Sequence, residues 1–233
     1  MRQLIAVSEV LDRIIAKIGK LAAWLLIPMV GIIVIDVVTR KFGLLSKLRE
    51  ALEASGAIEA AQFVQSYMTS TKFQELEWHL HAALFLLCLG FGYVRNSHVR
   101  IELVRERFGV RTRAWLELVG CMIFLVPYAG LVLYFGIDFS QRSFEMSEVS
   151  SALTGLSHRW VIKAFVPLGM VLLLMATAAV VLRNVIFLFG SGALQGRALG
   201  EAMELHSAMQ DLVASTVREA EEILAVEKKE PAS

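Results

Sequence analysis

Four apolar blocks, each about 20 residues long, constrain the fold of this 233-residue chain more than any other feature of its sequence. An α-helix rises about 1.5 Å per residue, so such a block can cross the roughly 30 Å hydrocarbon core of a bilayer. The blocks lie at about 21–39, 76–94, 116–137 and 162–183. None has the period-two alternation that membrane β-strands need. The sequence therefore predicts an all-α membrane protein with four transmembrane helices.

The composition argues against several other classes of protein. Hydrophobic residues make up 56% of the chain and charged residues 19%, which is less charge than a soluble domain usually carries. The formal net charge is +1, so no overall field would attract nucleic acid. Cys88 and Cys121 lie inside apolar blocks, where thiols behave as small hydrophobic groups. Because no nucleotide-binding or hydrolase motif occurs, we expect no enzymatic activity, no metal and no cofactor.

The distribution of basic residues predicts how the helices cross the membrane. The segment 95–114 is rich in arginine, and short loops with this composition lie on the cytoplasmic side. With four spans, both termini are then also cytoplasmic, and the segments 40–75 and 138–160 face outward. One group of basic residues opposes this assignment, because it would lie on the outer side: Arg40, Lys41, Lys47, Arg49 and Lys72.

Four segments outside the spans show amphipathic or helical patterns. Residues 1–20 and 95–114 predict helices that lie at the membrane surface. The stretch 44–73 predicts a helical insertion on the periplasmic side. Residues 191–233 predict a cytoplasmic tail with an apolar stripe along one helical face.

Polar residues crowd the start of the second block. Glu75 and His79 are four residues apart, as are Glu77 and His81, so each pair would share a helix face. Carboxylate and imidazole are metal ligands, and buried acids can relay protons. These residues are expected at the membrane–water interface, however, where aromatic side chains such as Trp78 are enriched. The position favours a turn that anchors the helix at the interface and contacts a partner.

The other polar residues offer no chemistry at the centre of the bundle. Asp36 has Arg40 four residues later, which predicts an ion pair within one helix. Blocks two to four have no charge near their middles, which argues against a self-sufficient ion-driven carrier. All histidines lie at or beyond block ends, which argues against a haem-binding anchor of a redox complex. A stand-alone carrier and a haem anchor remain the two alternatives.

Three segments occur in an order that is typical of one family: QELEW, GFGYVRNSHVRIELV and EVSSALTGLSHRWVIKAFVPLGMVLLL. Over about residues 20–190 the chain resembles the small membrane subunit, of the DctQ type, of tripartite ATP-independent periplasmic (TRAP) transporters. The loop 43–73 and the tail after residue 200 look long for this family. The positions that carry the resemblance are Glu75, Glu77, Trp78, His98, Val99, Arg100, Glu102, Trp160, Lys163 and Pro167.

The resemblance implies a division of labour in the bacterial inner membrane. A large multi-helix membrane subunit would hold sodium and substrate, and a periplasmic binding protein would deliver an organic acid. The small subunit would lie among membrane lipids, scaffold the large subunit and help to dock the binding protein. On this basis Glu75, Glu77 and Trp78 are expected to line the docking face. His98, Arg100 and Glu102 are expected to fix the inner end of the second span.

Overall fold

A computed structural model describes residues 2–95, 108–152 and 155–190, and all regular structure in these ranges is helical. Most of the surface helix predicted for 95–114 and the whole tail predicted for 191–233 lie outside the described residues. The helices are α1 (Arg2–Ala23), α2 (Leu26–Phe42), α3 (Leu44–Ala54), α4 (Ile58–Tyr67), α5 (Ser70–Val94), α6 (Val110–Gly120), α7 (Val126–Glu145) and α8 (Trp160–Phe189), with a π-helical turn (Cys121–Leu125) between α6 and α7.

Four stretches of helix are long and apolar enough to cross a membrane: Gln3–Phe42, Ser70–Val94, Val110–Glu145 and Trp160–Phe189. The predicted fold class, an all-helical protein with four spans, is therefore confirmed. Which side of the membrane each terminus occupies stays a prediction. The insertion predicted for 44–73 contains the two short helices α3 and α4.

A break between α1 and α2 divides the first stretch. Proline has no backbone N–H, so Pro28 cannot donate to the carbonyl of Trp24, four residues earlier. Ile27 donates to that carbonyl instead, at 3.3 Å, and the chain turns at Trp24 and Leu25. The first helix consequently extends to Ala23, somewhat beyond the amphipathic segment predicted for residues 1–20.

Helix α8 lies at the centre of the bundle and packs against α1, α5 and α7. Its side chains Met170 and Leu173 are buried together with Ala129 of α7, and Leu86 of α5 packs against this cluster. By contrast, α2 packs mainly on α5 and leaves a broad apolar face exposed. The bundle therefore has one well-buried helix and several with surfaces open to lipid or to another protein.

Glycines allow α5 and α8 to touch along their backbones. A Cβ added at Gly90 of α5 would lie 2.7 Å from the carbonyl oxygen of Leu172, which real Cβ atoms do not tolerate. A Cβ at Gly169 of α8 would lie 3.0 Å from the backbone of Leu86. Small residues of this kind are how membrane helices gain close packing, because lipid supplies little hydrophobic drive for association.

The N-terminal helix packs lengthwise against the second half of α8. Ile5 is buried against Ile186, and Ile15 is buried against Ala176. Near the middle of this contact, Arg183 Nη1 donates to Asp12 Oδ2 at 2.5 Å, with both side chains largely shielded. One face of α1 is thus covered by protein. The position of this helix at the membrane surface stays a prediction.

The substitution Gly90→Ala should destabilise the bundle, because its methyl group would press on the Leu172 carbonyl and force α5 and α8 apart. We expect a loss of about 1–3 kcal/mol in the free energy of unfolding, as for other overpacked positions. Thermal unfolding of the purified protein in detergent, followed by circular dichroism, measures this loss. Gly130→Ala in α7 is the control, since no atom lies within 4 Å of its added Cβ. Equal stability of the two variants would show that the close α5–α8 contact is not needed.

Candidate docking site at one end of the bundle

Glu75 fastens the start of α5 to the loop that joins α7 and α8. The Ser150 hydroxyl donates a hydrogen bond to Glu75 Oε1. The backbone N–H of Leu156 donates to the other carboxylate oxygen, Oε2, at 2.6 Å. Hydrogen bonds to a charged acceptor are among the stronger ones in proteins. The carboxylate therefore joins the start of α5 to two loop residues that follow it by 75 and 81 positions in the sequence.

Backbone hydrogen bonds join the two sides of the loop, residues 146–159. The N–H of Ser150 donates to the Leu156 carbonyl at 3.1 Å, and the N–H of Arg159 donates to the Glu148 carbonyl at 3.2 Å. Gly155 is needed where the loop meets α5, because a Cβ there would lie 2.8 Å from Glu75 Oε1. We call Glu75, the described part of this loop and the first turn of α8 the rim.

An ion pair secures the other side of the rim. Lys163 of α8 donates to Glu148 of the loop, and their side chains are only 17% and 28% exposed. The same ammonium group lies 4.0 Å from the centroid of the Phe139 ring, at the end of α7. Trp160 packs edge-on against Phe144, with ring centroids 5.2 Å apart. Three elements, α7, the loop and α8, are therefore joined around one lysine and one tryptophan.

The ion pair shifts the titration of Glu148. The hydrogen bond from the Lys163 ammonium favours the charged carboxylate and lowers the pKa of Glu148 below its ordinary value of 4.5. At neutral pH the carboxylate is consequently ionised and the contact is complete.

A second polar contact at this end joins α2 to α5. Asp36 forms the predicted ion pair with Arg40 within α2, which confirms that part of the sequence analysis. Its other oxygen, Oδ1, accepts a hydrogen bond from the Ser70 hydroxyl at 2.8 Å, at the first residue of α5. Asp36 is 1% exposed, so its charge is compensated inside the protein.

The structure separates the residues that the sequence grouped together. Glu75, Trp160 and Lys163 belong to the rim, whereas Pro167 lies about one turn beyond Lys163, where it packs on Gly136 of α7. Trp78 is 58% exposed, and Glu77 is half-buried. His98, Arg100 and Glu102 lie outside the described residues, so their predicted role at the inner end of α5 stays a prediction.

Sequence reasoning missed the partners of Glu75. Leu156 contributes a backbone N–H, which no side-chain motif can reveal. Ser150 belongs to the stretch EVSSALTG, whose small residues and glycine indicate a turn but do not identify what it binds.

The pairing of His79 with Glu75 also differs from the metal hypothesis, since the ring nitrogen Nδ1 contacts the backbone carbonyl of Glu75 and not its carboxylate. In the described ranges, no three His, Cys, Asp or Glu side chains form a group that could hold a metal ion.

Replacing Glu75 by glutamine should loosen the rim. The amide has a similar size, but its NH2 group cannot accept the hydrogen bond that one carboxylate oxygen receives now. We expect the Leu156 amide to exchange its hydrogen about tenfold faster or more, as for loss of a hydrogen bond to a charged group. Mass-spectrometric hydrogen exchange measures this rate.

The control for this experiment is Glu77→Gln. Residues 75 and 77 point about 200° apart around a helix, so Glu77 cannot reach the same partners. Unchanged exchange at Leu156 in Glu75→Gln, or an equal increase in both variants, would contradict the assigned contact.

The ion pair predicts a pH dependence with a definite sign. Because folding lowers the pKa of Glu148, its contribution to stability is complete above the ordinary value of 4.5 and is lost as the pH falls through the lowered pKa. Glu148→Gln should therefore be less stable than the wild type at neutral pH, and the difference should shrink below pH 4.5. Thermal unfolding across this pH range measures it. Glu145→Gln, at an exposed carboxylate that accepts from Gln141, controls for removal of a charge. A difference that stays constant with pH would refute the ion pair.

Comparison with known families agrees with the resemblance seen in the sequence. Residues 29–186 match the model of the family described as the DctQ component of tripartite ATP-independent periplasmic transporters. No curated protein and no solved structure matches the chain significantly. The matched region includes α5, the rim and nearly all of α8. Because it spans more than half of the sequence, the chain belongs to the DctQ family of TRAP transporter components, a family of transporter subunits and not of enzymes.

Proposed function

We propose that this small membrane subunit scaffolds the large membrane subunit of its transporter and that the rim forms part of the docking surface for the periplasmic binding protein. In this arrangement the rim faces the periplasm and both termini lie in the cytoplasm of the bacterium. The large subunit carries the sodium ions and the organic acid across the inner membrane. The arginine-rich segment 95–114 supports the orientation, because basic loops are retained in the cytoplasm.

The observation that carries the docking proposal is the double hydrogen bond at Glu75. A loop that is already fastened in one shape loses little conformational freedom when a partner binds it. The Lys163–Glu148 ion pair and the packing of Trp160 on Phe144 restrict the same loop from its other side. Trp78, exposed on α5 a few residues beyond Glu75, offers an aromatic side chain of the kind enriched in protein interfaces.

The chemistry of the spans supports the scaffold role. The second, third and fourth spans carry their acidic and basic side chains only toward their ends, as in Lys163 and Arg183 of α8. Secondary transporters bind their substrates and ions near the middle of the membrane. A bundle with apolar middles is better suited to holding a neighbour than to passing an organic anion.

Exposed apolar side chains provide the surface for that neighbour. Helix α7 alone exposes a series of large ones over its length, including Tyr128, Leu131, Tyr134 and Phe135. Such surfaces face either lipid or another membrane helix, and close van der Waals packing decides between them.

The docking role is tested by reversing the charge at Glu75. With Glu75→Lys, we expect the concentration of binding protein that gives half-maximal uptake to rise about fivefold or more, as for loss of an interface hot spot. The assay uses proteoliposomes that contain both membrane subunits and receive purified binding protein. Glu59→Lys, an equal change at an exposed residue of α4, should leave the uptake curve unchanged.

Two further readouts separate docking from scaffolding. The large subunit should still co-purify with the Glu75→Lys variant, because the rim is proposed to act on the binding protein. The docking role would be overturned if the half-saturation point did not change. It would also be overturned if uptake fell only because the large subunit no longer co-purified. Solute uptake by this chain alone, or a Soret band in the purified protein, would overturn the division of labour and favour a carrier or a haem anchor.

A further inference from the structure

A cavity separate from the rim opens where the end of α2, helix α3, the end of α4 and the start of α5 meet. Two arginines line it from different helices, Arg40 from α2 and Arg49 from α3. Side chains that can donate or accept hydrogen bonds, including Ser46 and Gln65, line it as well. Among the described residues that line this cavity, none is acidic. The lining therefore suits an anion with several oxygen atoms.

Arg49 retains hydrogen-bonding capacity inside this cavity. Its Nε atom is buried and has no hydrogen-bond partner among the described residues. Arg49 forms an ion pair with Glu53 of the same helix, whose Oε1 lies 3.4 Å from Nε without the geometry of a hydrogen bond. The Arg49 side chain as a whole is 39% exposed, and a guanidinium carries five N–H donors, so donors other than Nε remain for a phosphate oxygen.

The position of the cavity in the fold indicates where such an anion comes from. Helix α2 ends at Phe42 and α5 begins at Ser70, and each belongs to a stretch that can span a membrane. Because the two spans are consecutive and joined by α3 and α4, these two ends lie at the same edge of the bilayer. The cavity is then at the depth of the lipid headgroups, where the abundant anion is the phosphodiester of a phospholipid.

The surroundings of the cavity suit a lipid rather than a water-soluble anion. Large apolar side chains on and beside the α3–α4 hairpin are exposed, among them Leu44, Leu48, Phe63 and Tyr67. Phe63 and Tyr67 stack with ring centroids 4.9 Å apart. Apolar and aromatic side chains that flank basic residues are typical of protein surfaces at the membrane interface.

We propose that this cavity binds an anionic phospholipid, with the phosphodiester held by the N–H groups that the partly exposed Arg40 and Arg49 retain beyond their ion pairs with Asp36 and Glu53. The site accounts for two of the five basic residues that oppose the charge rule in the segment 40–75, Arg40 and Arg49, because these two would bind a lipid headgroup. It also gives the long α3–α4 insertion a role, which is to anchor the α2–α5 end of the bundle to the lipid. The proposal depends on the membrane position of the two spans and not on docking of a binding protein.

A pair of nearly isosteric substitutions tests this site. Gln65 lines the cavity, whereas Gln62, on the same helix, does not. Gln65→Glu should repel the phosphodiester and reduce the phosphatidylglycerol retained by the full chain about fivefold, the effect of one charge near a lipid surface. Gln62→Glu makes the same change of charge outside the cavity and should retain phosphatidylglycerol like the wild type. Native mass spectrometry of the protein in mixed phosphatidylglycerol and phosphatidylcholine measures the bound lipid.

Arg49→Gln supplies an independent variant, and circular dichroism checks that it is folded. It should lose phosphatidylglycerol to a similar extent, while Arg142→Gln should not. Arg142 is the matched control because it is exposed and also pairs with an acid four residues away in its helix, Asp138, at 2.8 Å.

Four outcomes would overturn the lipid proposal. Equal retention by the wild type, Gln65→Glu and Arg49→Gln would show that the cavity does not hold the lipid. Equal losses in Gln65→Glu and Gln62→Glu would reduce the effect to general surface charge. If inorganic phosphate stabilises the wild type as much as phosphatidylglycerol does, the occupant is a soluble anion. Loss of the large subunit from Gln65→Glu with unchanged lipid would assign the cavity to a protein partner.

Discussion

The close backbone contact between α5 and α8 sets the geometry on which the rest of the bundle depends. Gly90 meets Leu172, and Leu86 meets Gly169, so the two helices run parallel and in register. Glu75 lies 15 residues before Gly90, and Leu156 lies 16 residues before Leu172. Residues 156–159 are not helical, so a rise of about 1.5 Å per residue places Glu75 about 22 Å from Gly90 and the start of α8, at Trp160, about 18 Å from Leu172. The carboxylate therefore lies just past the start of α8, at the level of the loop. The glycine contact in the apolar interior thus aligns the polar contact at the end.

The bilayer explains why polar contacts are concentrated at the ends of the helices. An unpaired charge in hydrocarbon is costly, so ionised side chains lie at helix ends or are paired. Asp36 is buried, but Arg40 and Ser70 both contact its carboxylate. Lys163 and Glu148 form a pair that is largely shielded from solvent. These contacts join neighbouring helices at the level where the membrane meets water, so they give that surface a defined shape.

Two surfaces at this end of the molecule differ in their chemistry. The rim is internally satisfied, since its acids and its lysine already have partners within the fold. The cavity is lined by Arg40 and Arg49, two partly exposed guanidinium groups that have N–H donors beyond their ion pairs with Asp36 and Glu53. A surface whose polar groups are paired with one another is suited to recognition by shape, whereas a cavity lined by guanidinium donors suits an anionic ligand. The two proposals, a protein partner for the rim and a phospholipid for the cavity, follow from this difference.

The sequence by itself determined those features that depend on near neighbours in the chain. The number of spans follows from the length and apolarity of the four blocks, and the Asp36–Arg40 pair follows from its spacing within one helix. The order of motifs around Glu75, Lys163 and Pro167 also identified the family. Only the tertiary structure revealed that Glu75 binds Ser150 and the Leu156 amide, and that Arg49 shares a cavity with Arg40. Those contacts join segments that become neighbours only after the helices pack, and helix packing depends on side-chain shape, which periodicity and composition do not encode.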